Sequence, residues 1–578
     1  MKTIAIIQAR MGSKRLPGKI MMTIGGKTIV EHILSSLKKC KYINTIYLAT
    51  GSGTENDILK RVTEKLNVNF FKGPEDNVLE RFWQVLELEK QKNKEYQLIV
   101  RICADSPFID YKEVDNLIKA HQKAQCDLSI NYNHPTGLPC GFGVEVISYN
   151  ALKESYELAE TEEHKEHLDE WILQHPEKYN ILKVPVTKSK QCYPINFSID
   201  TQDDFNFVNE LVKRNTPTQD NYYEPKKLLQ TLRKDPQLTN LKKLKVFVRA
   251  DGDGEIGMGH IIRSHTICQG LKAINPKVEV TYFSNEAALP TLKDFGYTAY
   301  QFSEELFKQK TEEIQPDIII TDLRKHLDDI SSENLNRALK VRFIDTEKPR
   351  TVRSNLIFNS FPLKENINQN AVYHAGFQYL PLRKEFEKIK PRTGNEPVKN
   401  ILIMPGGGEH TPQVLKLLNL TNEFPQQHFT FVLGPGTEPK NKEHIETIAK
   451  TKPNVTILHN IKNVKELMDQ SQLGISGGGN TLLEFARCQI PTLCLSSDYD
   501  KEHRDHQEYY CRAFHEAGTS IYLGHGIEWP DNLLTSNLKN LIQNSEKRKE
   551  MIKQCKSIAP KKTTENISKI ILKEYVRG

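Results

Sequence analysis

The sequence predicts an α/β protein of more than one domain, built on doubly wound, mostly parallel sheets. Three observations carry this. Short apolar runs alternate with helix-length amphipathic stretches, the pattern of βαβ units. A strand followed by a glycine-containing loop opens the chain at Thr3–Lys19 and recurs at Leu244–Arg263. The chain has 578 residues, whereas single cores stop growing beyond about 250–300 residues.

In the first part the expected strands are Ile4–Gln8, Thr45–Ala49, Leu98–Cys103, Leu128–Asn131, Val144–Ile147 and Phe197–Ile199. The expected helices are Ile29–Lys38, Glu55–Leu66, Asn77–Glu89, Tyr111–Ala124, His167–Leu173 and Thr201–Lys213. The stretch after Asn215 is rich in Pro, Asn, Gln and Lys, with one helical piece near Lys226–Arg233. Residues 1–235 therefore form one domain and residues 236–243 a linker.

The second part restarts at Leu244–Arg249. Strands are expected at Val278–Phe283, Asp317–Thr321 and Arg342–Ile344. After a charged, Pro-containing stretch they resume at Asn400–Met404, Phe429–Leu433, Val455–Leu458, Leu473–Ile475 and Thr492–Leu495. This spacing describes two lobes, 244–390 and 391–578, with a cleft between them.

The net charge of +7 comes from 80 basic and 73 acidic residues, a weak excess that does not argue for nucleic acid. Ten cysteines occur without a C-x-x-C pair, so neither a zinc site nor a disulfide framework is expected. The N-terminal apolar run ends at Arg10, unlike a signal peptide, and no run of about 18 apolar residues would span a membrane. A cytoplasmic enzyme is the expectation.

The first loop carries Arg10, Gly12, Ser13, Lys14, Arg15, Gly18 and Lys19. Four cations can surround the oxygens of a nucleoside triphosphate, and the glycines let the backbone approach. A solvated basic loop is the alternative. Gly26-Lys27-Thr28 is not a P-loop ending, because Met21 stands where a glycine is required. Asp105 and Asp200 each lie just beyond an expected strand, where open α/β sheets bind ligands. Two carboxylates beside nucleotide phosphates suit Mg²⁺. Capping of the next helix is the competing role.

In the second part, Asp251 and the glycines up to Gly259 precede His260, which should open a helix. The positive end of the helix dipole favours a neutral, base-competent imidazole there; capping or packing is the alternative. Three further glycine-rich strand ends follow: Gly406-Gly407-Gly408, Gly434-Pro435-Gly436, and Gly477-Gly478-Gly479 leading into Asn480 and Thr481. Such turns deliver free N–H groups to a diphosphate. Glu484 could accept hydrogen bonds from ribose hydroxyls, or form a capping box with Thr481, three residues earlier.

The segment Ile6–Lys19 resembles the opening of sugar cytidylyltransferases of the spore-coat polysaccharide type. So do Gly73–Phe82, Arg101–Asp110, Gly141–Val146, Glu166-His167 and Ser198–Thr201. The resemblance implies a Rossmann-like nucleotidyltransferase domain that transfers CMP from CTP to a sugar. It implies Mg²⁺ at Asp105 and Asp200, with Arg15 and Lys19 on the leaving phosphates.

Residues Ile256–His260, Ala375–Phe386, Gly477–Glu484 and Asp505–Gln507 resemble the UDP-sugar hydrolase of pseudaminic acid biosynthesis and its spore-coat relatives. That resemblance implies a two-lobed glycosyltransferase-B-like domain without a metal. It also implies release of free sugar from a UDP-sugar, with His260 activating water and Asp251 near it. The expected ligands are CTP, a UDP-sugar and sugar or sugar-acid substrates, and a second copy of the chain is an expected partner through the N-terminal domain. Two alternatives stand beside this: the C-terminal half passes the sugar to an acceptor, or one half is a non-catalytic binding module.

Overall fold

The computed structural model describes the chain except residues 133, 135, 193–194, 219–220, 254–256, 324–337, 346–353, 362–370, 460, 462, 497–504, 526, 528 and 578, and the side chains of 505–506. It divides into two compact units. One is Met1–Lys243 with Ala338 and the last residues from Leu572. The other takes up the rest from Leu244 to Ile571.

The first unit is built on a seven-stranded sheet in the order Asn69–Gly73, Thr45–Gly51, Thr3–Ala9, Leu98–Cys103, Glu145–Ser148, Leu128–Ile130, Ile181–Lys183. The first four strands run parallel, and Glu145–Ser148 is antiparallel to both neighbours. Thr3–Ala9 is buried at nearly every position, as a central strand covered on both faces must be. The strand order reverses between Thr3–Ala9 and Leu98–Cys103. The carboxyl ends of that pair form the crevice where doubly wound sheets take their ligands.

The Gly26-Lys27-Thr28 run confirms its exclusion as a phosphate loop. It closes a two-stranded hairpin, and Thr28 caps helix Ile29–Leu37 in a capping box with Glu31.

The second unit holds two all-parallel sheets. The first has the order Thr298–Gln301, Val278–Ser284, Leu244–Ala250, Ile318–Asp322, Leu339–Ile344, Leu356–Asn359, Val372–Ala375. The second has the order Val455–His459, His428–Leu433, Asn400–Met404, Leu473–Gly477, Thr492–Ser496, Ser520–His525. Each reverses direction once, between Leu244–Ala250 and Ile318–Asp322 and between Asn400–Met404 and Leu473–Gly477. A two-lobed, doubly wound arrangement follows.

Several expectations are corrected. Phe197–Ile199 is not a strand; only an isolated bridge joins Asn196 to Cys140. Its apolar character comes from ring packing: Phe197 lies between Phe142 and Phe207, with centroids at 4.6 and 5.6 Å. Residues 236–243 are not an open tether at their start, because Pro236–Leu241 winds into a 3-10 turn that buries Leu238 and Thr239. The helix expected at His167–Leu173 forms at Glu170–Gln174, after a separate turn at Glu162–Glu166. The edge strands Asn69–Gly73, Ile181–Lys183, Thr298–Gln301, Val372–Ala375 and Ser520–His525, and the interior strand Leu356–Asn359, carry too short or too mixed an apolar pattern to stand out. Among the described residues no helix is long and apolar enough to cross a membrane, and all ten cysteines are free.

Candidate functional site

In the first unit the loop after Thr3–Ala9 is tied by its own backbone. The Met11 carbonyl accepts from the N–H groups of Ser13 and Gly18, both at 3.0 Å. The Met11 N–H donates to Asn56 Oδ1 at 2.9 Å. Gly18 adopts φ +70°, a left-handed conformation that glycine takes without strain. Beside Gly12 the space a Cβ would enter is open. Arg10, Lys14 and Arg15 are exposed.

The two carboxylates named from sequence come together. The Lys19 ammonium lies 3.2 Å from Asp105 Oδ2 and 2.9 Å from Asp200 Oδ1. Arg15 adds a second cation at 2.9 Å from the same Asp200 oxygen. Neither aspartate caps a helix: Asp110 caps Tyr111–Ala124, and Thr201 caps Gln202–Lys213 in a capping box with Asp204. The backbone joins the pair as well, since the Ile199 N–H donates to the Asp105 carbonyl at 2.9 Å. Two hard oxygen donors already converging on one cationic centre fit a divalent ion of the Mg²⁺ class. Arg15 and Lys19, expected on the leaving phosphates, here pair with these carboxylates. Arg10 pairs at 3.7 Å with Glu166.

A charged cluster beneath this site escaped the sequence reading. Arg101, on the strand that leads to Asp105, reaches Glu145 at 2.9 Å and Asp169 at 3.1 Å, and donates to Gln8 Oε1 at 3.0 Å. Its third nitrogen lies 3.4 Å from Nδ1 of His167, the neighbour of Glu166. Tyr132 donates to Glu145. Burial, with the Glu145 carboxylate close by, pushes Asp169 up to about 7. Arg101, Glu145 and His167 all lie in the quoted motifs, but sequence spacing does not reveal that they touch.

In the second unit His260 is the second residue of helix Gly259–Ile274 and is almost fully buried. Its carboxylate partner is Asp322, not Asp251. Nδ1 lies 2.7 Å from Asp322 Oδ1. Arg263 donates from Nε to Asp322 Oδ2 at 2.8 Å. The Arg263 guanidinium and the hydrogen bond with His260 hold Asp322 below the usual carboxylate range against its burial, so the ionised carboxylate only accepts and Nδ1 of His260 is the nitrogen that donates to it. Asp251 accepts instead from Arg249 and from the Asn285 N–H, pinning the end of its strand. Asp322 closes the buried run Ile318–Asp322, the same position relative to its strand that singled out Asp105.

The glycine-rich turns of the last lobe converge, partly by packing on one another. A Cβ on Gly434 would lie 2.4 Å from the Gly406 carbonyl, and one on Gly407 3.2 Å from the Met258 nitrogen. Gly436 donates its N–H to the Gly407 carbonyl at 2.9 Å, and the Gly408 nitrogen lies beside Gly257. A Cβ on Gly478 would meet the Gln507 carbonyl at 2.2 Å. Gly406 and Gly479 take φ +140° and +148°. No atom stands within 4 Å of a Cβ placed on Gly479, which precedes Asn480 and Thr481 at the start of helix Asn480–Arg487. Glu484 forms no capping box; its Oε1 accepts from Arg383 Nε at 2.9 Å. The side chains of Asp505 and His506 lie outside the described residues, as do Gly254, Glu255 and Ile256.

Comparison with known proteins supports two unlike halves. Residues 4–234 match the cytidylyltransferase family model, and residues 409–567 match the glycosyltransferase family 28 C-terminal domain. An uncharacterized protein of Methanocaldococcus jannaschii is 30% identical over 241 residues, covering 42% of this chain and 94% of that one. The spore coat polysaccharide biosynthesis protein SpsF of Bacillus subtilis is 29% identical over 214 residues, covering 36% of this chain and 85% of SpsF. The protein SpsG of the same organism is 22% identical over 316 residues, covering 52% and 89%. The second match is to a glycosyltransferase domain.

Proposed function

Since the chain belongs, through residues 4–234, to the cytidylyltransferase family, we propose that its first unit transfers CMP from CTP to a hydroxyl of a sugar or sugar acid, releasing pyrophosphate. The observation that carries this is the convergence of Asp105 and Asp200 on Lys19 at the mouth of the basic loop. Mg²⁺ held by Asp105 and Asp200 would neutralise charge on the α-phosphate. The remaining work is positioning. Lys14 and Arg15 bind the outer phosphates from the exposed side of the loop. The loop N–H groups and the open space at Gly12 admit the triphosphate. The Arg101 cluster orients Gln8 and His167 beside the acceptor.

For the second unit we propose a uridine-type nucleoside diphosphate sugar as ligand. Gly406–Gly408, Gly434 and Gly479–Thr481 hold the diphosphate, and His260 takes the proton of the group that attacks the anomeric carbon. Two identities of that group are kept. Water makes the unit a UDP-sugar hydrolase, as the pseudaminic-type motifs imply. A sugar hydroxyl makes it a glycosyltransferase, which the family 28 match favours.

One experiment tests both units. The full chain is incubated with CTP, Mg²⁺, a panel of UDP-sugars and a panel of sugars and 2-keto sugar acids, and the products are read by mass spectrometry. CMP-sugar formation supports the first assignment. UDP released without an acceptor supports hydrolysis, and UDP released only with one supports glycosyl transfer. No nucleotide turnover at either unit would overturn the proposal.

A further inference from the structure

We infer that Tyr510 is a positioning residue for His260, acting through Asp345, Arg263 and Asp322; the inference rests on the reading of His260 as proton acceptor. The Tyr510 hydroxyl donates to Asp345 Oδ1 at 2.9 Å. The other Asp345 oxygen pairs with Arg263 Nη1 at 2.5 Å, and that nitrogen lies 3.4 Å from the Tyr510 oxygen. Nε and Nη2 of the same guanidinium hold Asp322, which holds His260. Asp322 is 0% exposed, Tyr510 2% and Arg263 3%.

A guanidinium is a rigid planar fork. One arm cannot turn without the other, so a displacement of Asp345 reaches Asp322 and then the imidazole. The charge balance adds to this. Among the described residues the Arg263 guanidinium faces two carboxylates, Asp322 and Asp345, and the negative charge of Asp322 against Nδ1 favours the imidazolium that forms when His260 takes a proton. The Tyr510 hydroxyl solvates the far carboxylate, which leaves Arg263 to serve Asp322.

Tyr510 also stands where it can sense the nucleotide seat. It belongs to helix Asp505–Glu516. The Gln507 carbonyl of that helix lies against Gly478, at the turn into Asn480–Arg487. The ring of Tyr510 packs edge-on against Phe361, centroids 4.7 Å apart. One helix therefore touches both the candidate diphosphate cradle and the network that orients the base.

The test uses the full chain carrying ¹⁵N-labelled histidine, with the His260 signals assigned by His260→Gln. Tyr510→Phe keeps the ring and removes the hydroxyl; Asp345→Asn is the second variant should the first fail to fold. The wild-type imidazole is expected to carry its proton on Nδ1. In either variant the nitrogen signals should move, and kcat for UDP release should fall about tenfold with UDP affinity, measured by calorimetry, unchanged. Unmoved His260 signals, or moved signals with unchanged kcat, would overturn the inference. Should the wild type release no UDP from any UDP-sugar, the proposed function fails, while the imidazole comparison still decides the coupling.

Discussion

The ammonium of Lys19 lies within 3.2 Å of Asp105 and 2.9 Å of Asp200, so one side chain joins the carboxyl end of strand Leu98–Cys103 to the start of helix Gln202–Lys213. Removing either acid would leave the proposed Mg²⁺ one protein ligand short. Asp105→Asn and Asp200→Asn should each lower pyrophosphate release by on the order of 10²-fold or more. UDP release by the second unit should be unchanged. A coupled pyrophosphate assay beside a UDP assay on the same protein checks both.

His260 and Asp322 make the matching prediction in the second unit. His260→Ala removes the proposed proton acceptor and should cut UDP release by about 10²- to 10⁴-fold while pyrophosphate release continues. Asp251→Asn should lower UDP release far less, since its carboxylate serves Arg249 and Asn285. Equal losses in the two variants would return Asp251 to the reaction.

Glycine positions separate ligand contact from packing. At Gly12 an added methyl meets nothing, so Gly12→Ala should leave thermal stability in place and weaken CTP binding measured by calorimetry. At Gly477 the methyl would lie 1.9 Å from the Pro405 carbonyl. Gly477→Ala should cost about 2 kcal/mol or more, read from denaturant midpoints.

Acid should loosen the second unit. Burial depresses His410 from 6.5 to about 4, and among the described residues its Nδ1 has no hydrogen-bond partner. The folded imidazole stays neutral where the unfolded one takes up a proton. Stability is therefore full above about pH 6.5 and drains away as pH falls toward 4, by about 3 kcal/mol when complete. His265, depressed to about 4 chiefly by burial, acts in the same direction. Urea midpoints between pH 7.5 and 4.5 should show the loss, and His410→Gln should flatten part of it.

Much of this was legible in the residues, for reasons that also mark where legibility ends. Asp105 stands out because it closes a long apolar run in a region dense with motifs. Asp322 closes an equally buried run, but no glycine turn draws attention to it. Glu484 sits three residues from Thr481, the spacing of a capping box, yet its partner Arg383 is 101 residues away. Contacts of that range follow from how strands are ordered in a sheet, not from local spacing. The glycines of the last lobe are expected from sequence to turn free N–H groups toward a diphosphate. At Gly434 and Gly478 the approaching partner includes other backbone, which composition alone cannot tell from a ligand. Phe197–Ile199 has the apolar run of a strand but spends it on ring packing.

The Lys19 bridge also bears on the order of events. Two carboxylates already neutralised by Lys19 and Arg15 exert little pull on a bare divalent cation. In the proposed reaction a triphosphate would compete for the same basic side chains, and drawing them off would free Asp105 and Asp200 to hold Mg²⁺. Loading should thus be sequential, nucleotide ahead of or together with the ion, so that the first unit stays chemically silent until its donor is seated.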